Sequence, residues 1–296
     1  MKNIFTGSGV ALVTPFNKDY SIDYDALRKL VRYQIDNGTD FLVVQGTTGE
    51  SPTLSHDEKL QVLQTVIDEN KGALKIVYGV GGNNTMDVGE KLKKVPVGVD
   101  GILSVSPYYN KPTQQGIIEH FRYISTCTNL PIILYNVPGR TGSNMLPSTT
   151  LKLAEIPNLV AVKEASGSME QIMEIIRLKP EGFGVLSGDD AITMPLIATG
   201  ADGVISVVAN AFPKRFSEMV HASMVENLPL ARKAHYDLLS ITKMFFEEGN
   251  PGGVKVSLNK QGLMEETMRL PLYPVSDSLR NRIQEETKNI LKLELV

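Results

Sequence analysis

Eight short apolar, β-branched runs separated by amphipathic stretches constrain this chain more than any other feature. They are "GVALVTP" from Gly9, "FLVVQG" from Phe41, "LKIVYGV" from Leu74, "DGILSVSP" from Asp100, "PIILYNVP" from Pro131, "LVAVKE" from Leu159, "FGVLSG" from Phe183 and "DGVISVVAN" from Asp202. Each is nearly continuous rather than alternating, as in parallel strands buried on both faces. The stretches between them carry helix signals. "DYDALRKLVRYQIDNG" opens on acids at Asp23 and stops at Gly38, and "SHDEKLQVLQTVIDEN" sets Ser55 and Glu58 at capping-box spacing. "TQQGIIEHFRYISTCTN", "PSTTLKLAEI", "SMEQIMEIIRLK" and "DDAITMPLIATG" continue the alternation. Eight βα periods in roughly 225 residues predict an α/β chain folded as a (β/α)8 TIM barrel with a C-terminal helical extension. A doubly wound open sheet is the alternative. It usually has fewer strands and a Gly-rich nucleotide turn after the first, and "VTPFNK" is not such a turn.

The division expected is a catalytic barrel over residues 1–226 and a helical extension over residues 227–296, packed on the barrel. In that second part "LPLARKAHYDLLSITKMFFEEG" and "VSDSLRNRIQEETKNILKLEL" read as helices without strand partners. The net charge of −3 is spread along the chain in both signs. Neither nucleic acid nor an acidic membrane is expected as a partner. The one cysteine, Cys127, excludes an internal disulfide and a cysteine-built metal cluster. The first twenty residues read as neither signal peptide nor membrane span, so a cytoplasmic protein is the default.

Function in such barrels sits on the loops after the strands, and reactive side chains collect there. "GTTGE" runs from Gly46 to Glu50, "PYYN" from Pro107 to Asn110, "YNVPGR" from Tyr135 to Arg140, and "SGDD" from Ser187 to Asp190. The segment "NLVAVKEAS", Asn158 to Ser166, places Lys163 at the end of a dry strand. Strand-end lysines ordinarily snorkel to water. At a barrel mouth, burial instead favours the uncharged amine, a nucleophile that forms a Schiff base with a carbonyl. Such an imine turns a keto acid into an enamine without a metal. Tyr135, on the adjacent strand, is either an aromatic core cap or a phenol placed to shuttle protons, with Thr47 as a hydroxyl relay. "GTTGES" is either a plain tight turn or a seat in which Thr47, Thr48 and backbone N–H groups bind a carboxylate. Arg140 is either a surface charge or a bidentate partner for a second carboxylate.

None of the four histidines, His56, His120, His221 and His235, falls at a strand C-terminus or in metal-binding spacing. No metal site and no cofactor are expected. Asp189 and Asp190 leave a carboxylate-only Mg²⁺ site open, but read better as acids facing a helix N-terminus. Glu164 reads as a structural charge.

"GTTGESPTLSHDEK", "SPYYNKPTQQGIIEHF", "LYNVPGRTG", "VKEASG" and "LSGDDA" resemble the dihydrodipicolinate synthase family of pyruvate-dependent class I aldolases. The resemblance runs from Phe5 to about Asp277. It implies the same barrel with a helical C-terminal part, assembled as a homotetramer of two tight dimers. It implies that Lys163 forms a Schiff base with pyruvate, and that Tyr135, Thr47 and Tyr109 relay protons, Tyr109 reaching in from the neighbouring subunit. It further implies that Thr48 and Thr47 bind the pyruvate carboxylate and that Arg140 binds the carboxylate of aspartate semialdehyde. Gly188 and Ile205 line the pyruvate pocket through their backbone, and the product feeds diaminopimelate and lysine synthesis.

In lysine-inhibited members the positions matching Ser51, Pro52, His56, Lys59, Asn83, Asp87 and Tyr108 form an allosteric lysine site. Here Lys59 replaces a histidine or an acid and Asp87 replaces a glutamate, so weak or absent feedback is expected. Sister lyases of N-acetylneuraminate or 2-keto-3-deoxy sugar acids share the lysine and tyrosine but generally lack the arginine carried here by Arg140. A silent keto-acid-binding barrel would have lost one of Lys163, Tyr135, Thr47 or Arg140, and all four are present.

Overall fold

A computed structural model describes residues 3–293 of the chain. Eight strands form in sequence order: β1 (Gly7–Ala11), β2 (Phe41–Val44), β3 (Lys75–Gly79), β4 (Gly101–Val105), β5 (Ile132–Asn136), β6 (Leu159–Glu164), β7 (Gly184–Ser187) and β8 (Gly203–Ser206). Each pairs in parallel with the next, and β8 closes onto β1 with Gly7 opposite Gly203. The closed barrel read from the periodicity is therefore present, and the open sheet is not.

Two hydrophobic layers hold it. The outward faces of the strands pack on the surrounding helices through Leu42, Ile102, Leu134 and Val162, among others. The inward faces fill the barrel with a smaller cluster that includes Phe5, Phe41, Val77, Ile133 and Leu186. Phe5 and Phe41, with ring centroids 5.8 Å apart, belong to this inner cluster. A Cβ at Gly9 would lie 2.2 Å from the Phe41 ring and one at Gly101 2.4 Å from the Phe5 ring, so two glycines make room for the two rings.

Helix ends follow the predicted signals. Asp23 caps Tyr24–Asp36 by accepting from Ala26 N, and Ser55 and Glu58 make the expected reciprocal box on His56–Asn70. Two local readings need correction. β1 ends at Ala11: the Leu12 N–H still donates to the Val43 carbonyl at 3.0 Å, but the Val13 N–H donates to the Asn210 side chain, so "VTP" turns away from the sheet. The single helix expected over "DDAITMPLIATG" is a 3-10 turn, Asp190–Ile192, followed by a short α-helix, Thr193–Ala198. Pro195 has no N–H to give to the preceding turn, so one continuous helix cannot bridge the two.

Beyond β8, the helices Pro213–Met224, Leu228–Glu247, Gly252–Lys260 and Asp277–Leu293 follow in turn. Leu238, Phe245, Val254, Leu258 and Ile283 from this part join the same outer hydrophobic cluster as the strands. The helix Gly252–Lys260 was not legible in the sequence. Its two glycines disfavour it, but a Cβ at Gly253 would lie 2.7 Å from the Phe245 backbone, so this helix forms because it packs at close quarters.

Candidate active site at the C-terminal mouth of the barrel

Lys163 depends on an irregularity of its strand. Between β5 and β6, Ile132 opposes Leu159 but Ile133 opposes Ala161, so Val160 is an extra residue. Leu159 packs in the outer cluster, whereas Val160 and Ala161 both face the barrel interior. Strict alternation from Leu159 would have turned Lys163 outward, since residues two apart share a face. The bulge shifts the phase by one, so Val162 packs outward and Lys163 turns inward over the Tyr135 ring, though it does not itself line the cavity beside that ring.

Tyr135 is the direct register partner of Lys163, and the Lys163 ammonium nitrogen lies 4.4 Å from the centroid of its ring. Both residues are buried, at 6% and 7% exposure. Among the described residues no carboxylate lies within ion-pair distance of Lys163. Gly188 bounds the other side. A Cβ there would sit 3.1 Å from the Lys163 Cε and 2.8 Å from the Ala165 Cβ, so any larger residue would crowd the lysine stem. Ile205 is fully buried in the inner cluster nearby.

Glu164 faces away from the mouth. Its carboxylate accepts from the Asn136 amide, from Gln171 Nε2 at 2.8 Å, and from the N–H and hydroxyl of Ser166 at 3.0 and 2.6 Å. A buried carboxylate with four donors is a structural clamp. It ties the ends of β5 and β6 to the helix Met169–Leu178.

A cavity of about 800 Å³ opens beside Tyr135, and Thr47, Val137 and Arg140 share its wall. Arg140 stands exposed in the turn Pro138–Thr141 with no ion-pair partner among the described residues, which leaves its guanidinium open to a ligand. Thr48 is buried with its hydroxyl accepting from Asn250 Nδ2 at 3.0 Å. Its single O–H therefore stays available as a donor.

Tyr109 is not brought to this site within the chain. It is 88% exposed, with φ at 73°, on the loop after β4. Ser51, Pro52, His56, Lys59, Asp87 and Tyr108 do come together, and they line the same cavity as Thr47 and Arg140. Asn83 joins them by donating to the Tyr108 carbonyl at 3.2 Å. Asp87 is already paired with Lys91 at 2.6 Å. Burial, and then the Lys91 charge, hold the Lys59 ammonium below the usual lysine range.

The acidic pair after β7 departs in part from its reading. Asp189 does cap the turn, accepting from Ala191 N at 3.0 Å. Asp190 instead turns to β8 and accepts from the N–H groups of Val207 and Val208, at 3.0 and 3.4 Å. Burial pushes its carboxyl up to about 6. Among the described residues no three His, Cys, Asp or Glu side chains converge as a metal site would need. Two residues behind the mouth, Lys255 and Asn250, were missed entirely, and Glu50 was noted only as the end of the "GTTGE" run. The signal was present in "GGVKVS", a lysine inside an apolar stretch, the same pattern that singled out Lys163.

A buried lysine against a tyrosine, without an ion-pair partner among the described residues, and an open arginine on the cavity wall are the groups a Schiff-base-forming barrel enzyme would need. The chain belongs to the Dihydrodipicolinate synthetase family, whose profile it matches over residues 4–290. A 4-hydroxy-tetrahydrodipicolinate synthase of Flavobacterium psychrophilum is 51% identical over 290 residues, covering 97% of this chain and 99% of the relative. The crystal structure of dihydrodipicolinate synthase from Aquifex aeolicus superposes with a TM-score of 0.93 at 42% identity, over 96% of this chain and 98% of that one. The lysine-bound synthase of Cyanidioschyzon merolae superposes at 0.94 with 38% identity, over 98% and 99%.

Proposed function

We propose that this chain is a 4-hydroxy-tetrahydrodipicolinate synthase, a lyase of the class I aldolase type, condensing pyruvate with L-aspartate 4-semialdehyde on the diaminopimelate route to lysine. The observation that carries the reading is the bulge-directed Lys163, packed on Tyr135, whose ring shares the wall of one cavity with Thr47 and Arg140. The Lys163 amine adds to the pyruvate C2 carbonyl, and loss of water leaves the imine. Tyr135, with Thr47, passes the protons of addition and dehydration. A proton leaves C3 to give the enamine, whose carbon attacks the aldehyde, and the aldehyde oxygen takes up a proton. The substrate amine then adds to the imine carbon and closes the ring as Lys163 departs. One water is lost overall, with no oxidant, reductant or cofactor. Thr47 and Thr48 hold the pyruvate carboxylate and Arg140 that of the semialdehyde.

Borohydride reduction in the presence of pyruvate, followed by mass analysis, tests the mechanism. A pyruvyl adduct on Lys163 is expected, and its absence would refute the Schiff-base chemistry. Turnover assays with pyruvate plus semialdehyde, against N-acetylneuraminate and 2-keto-3-deoxy sugar acids, separate the synthase from its sister lyases. Arg140 on the cavity wall favours the synthase.

Tyr109, turned out of its own chain's cavity, serves a neighbouring subunit in a dimer that pairs into a homotetramer. A fully active monomer in sedimentation and activity measurements would rule this out. No described helix is long and apolar enough to cross a membrane, and the cytoplasm is the compartment we assign. Lysine inhibition is weak or absent, because Asp87 is held by Lys91 and Lys59 sets a cation in the same cavity. Half-inhibition at submillimolar lysine would contradict that.

A further inference from the structure

The Gly46–Glu50 turn is held from behind by residues that follow the barrel. Lys255, in the helix Gly252–Lys260, is fully buried and pairs with Glu50 at 2.5 Å. It also donates to the carbonyls of Thr14 and Thr267, both at 2.9 Å, and lies 4.5 Å from the Phe16 ring centroid. The Thr14 hydroxyl in turn donates to the Gly49 carbonyl at 2.6 Å. Glu50 itself adopts a left-handed backbone at φ 53° and accepts from the Arg269 N–H at 3.1 Å. One residue before Pro251, Asn250 donates to the Thr48 hydroxyl. The turn is thus fixed at Thr48, Gly49 and Glu50, and Thr47 is left on the cavity wall.

Stability does not account for this arrangement. Two charges taken out of water seldom improve on an apolar pair of the same volume. What such a pair does supply is direction, because an ion pair with fixed carbonyl partners admits one register of the chain where an apolar contact admits several.

We propose that Lys255 and Asn250 are positioning residues for substrate binding, Lys255 acting through Glu50 and Asn250 through Thr48 to aim the Thr47–Thr48 turn at the carboxylate of the keto acid. The inference rests on the reading of that turn as the pyruvate seat. Asn250 contributes a second effect. By donating to the Thr48 oxygen it commits that hydroxyl to giving its proton forward, which is the role a carboxylate ligand requires.

Steady-state kinetics with pyruvate varied, together with borohydride trapping, test it on Lys255→Met, the double variant Lys255→Met/Glu50→Leu, and Asn250→Ala. Lys255→Met is expected to raise KM for pyruvate about tenfold while kcat falls less than about threefold, the split that marks lost ground-state binding. The double variant removes the stranded carboxylate and regains stability, yet is expected to keep the raised KM. If it recovers both stability and KM, the pair is merely structural and the proposal fails. Asn250→Ala is expected to raise KM about threefold, a single hydrogen bond's worth. A wild-type KM in that variant removes Asn250 from the proposal. Wild-type protein run alongside separates two failures. No adduct on wild-type Lys163 overturns the functional reading, whereas a normal adduct with unchanged KM in the variants overturns only the positioning role.

Discussion

Two buried lysines, Lys163 on β6 and Lys255 in the helix Gly252–Lys260, meet nearly the same surroundings and are treated in opposite ways. Each lies against an aromatic ring, Lys163 at 4.4 Å from Tyr135 and Lys255 at 4.5 Å from Phe16. Lys255 has a carboxylate and two carbonyls around its nitrogen. Even so, burial pushes its ammonium down to about 8, with Glu50 opposing the fall. Lys163 has no ion-pair partner among the described residues and lies over the Tyr135 ring. Burial alone therefore does not mark a reactive lysine. The partner set distinguishes the two: the donors of Lys255 are all spoken for, as in a strut, whereas the amine of Lys163 is left free for the nucleophilic role proposed above.

The largest expected contrast is chemical. Lys163→Ala should abolish the borohydride-trapped pyruvyl adduct, whereas Lys255→Met should still form it once pyruvate is raised. An adduct persisting in Lys163→Ala would break the comparison at its base. The second contrast is in folding. Lys255→Met leaves Glu50 buried and unpaired and should cost about 3–5 kcal/mol in urea unfolding. Lys163→Met leaves no stranded partner and should be neutral or stabilising by about 1 kcal/mol, as substitutions at functional sites often are. Similar losses at the two sites would mean that Lys163 too is structural.

Tyr135→Phe sharpens the reactive side. It keeps the ring packed on Lys163 and removes only the proton donor, so adduct formation should slow about 100-fold with little change in stability. Stopped-flow or quenched trapping would read this. His120 supplies the smallest contrast, a third buried base that avoids the problem by staying neutral. Its Nδ1 pairs with the Thr85 hydroxyl at 2.8 Å, its buried Nε2 finds no partner among the described residues, and burial pushes it down to about 4. A folded value below the unfolded one means the unfolded chain binds more protons in between. The contribution is complete above about pH 6.5 and drains away as pH falls toward 4, by about 3 kcal/mol. His120→Gln, which keeps a hydrogen-bonding side chain but does not titrate, should flatten unfolding curves in that window. Glu58, held down to about 2 by its hydrogen bond to Arg269, loses its contribution only below about pH 4.5, so the two effects separate along the pH axis.

Much of the candidate site was legible because barrels put function after their strands. Lys163, Tyr135, Thr47 and Arg140 each follow an apolar run, and the family motifs around them are contiguous. Tyr109 was legible as a motif residue, yet within one chain it projects into solvent, so the role proposed for it needs a second copy. The pairing of Glu50 with Lys255, and of Asn250 with Thr48, stayed hidden for a different reason. Glu50 and Lys255 are more than two hundred positions apart, and nothing local in "GGVKVS" says that a carboxylate waits for its lysine.

The sequence by itself determined the βα period, the closed eight-stranded architecture and which side chains stand at strand ends, because hydrophobic periodicity and caps are local and repeat. Only the tertiary structure decided which way those side chains face. One extra residue, Val160, turns Lys163 into the barrel instead of out of it. That depends on the pairing of β5 with β6, a contact between strands that no local pattern along either one contains. In the same way the Thr47–Thr48 turn takes its orientation from a helix beyond the barrel, through a charge pair that exists only once the chain has closed.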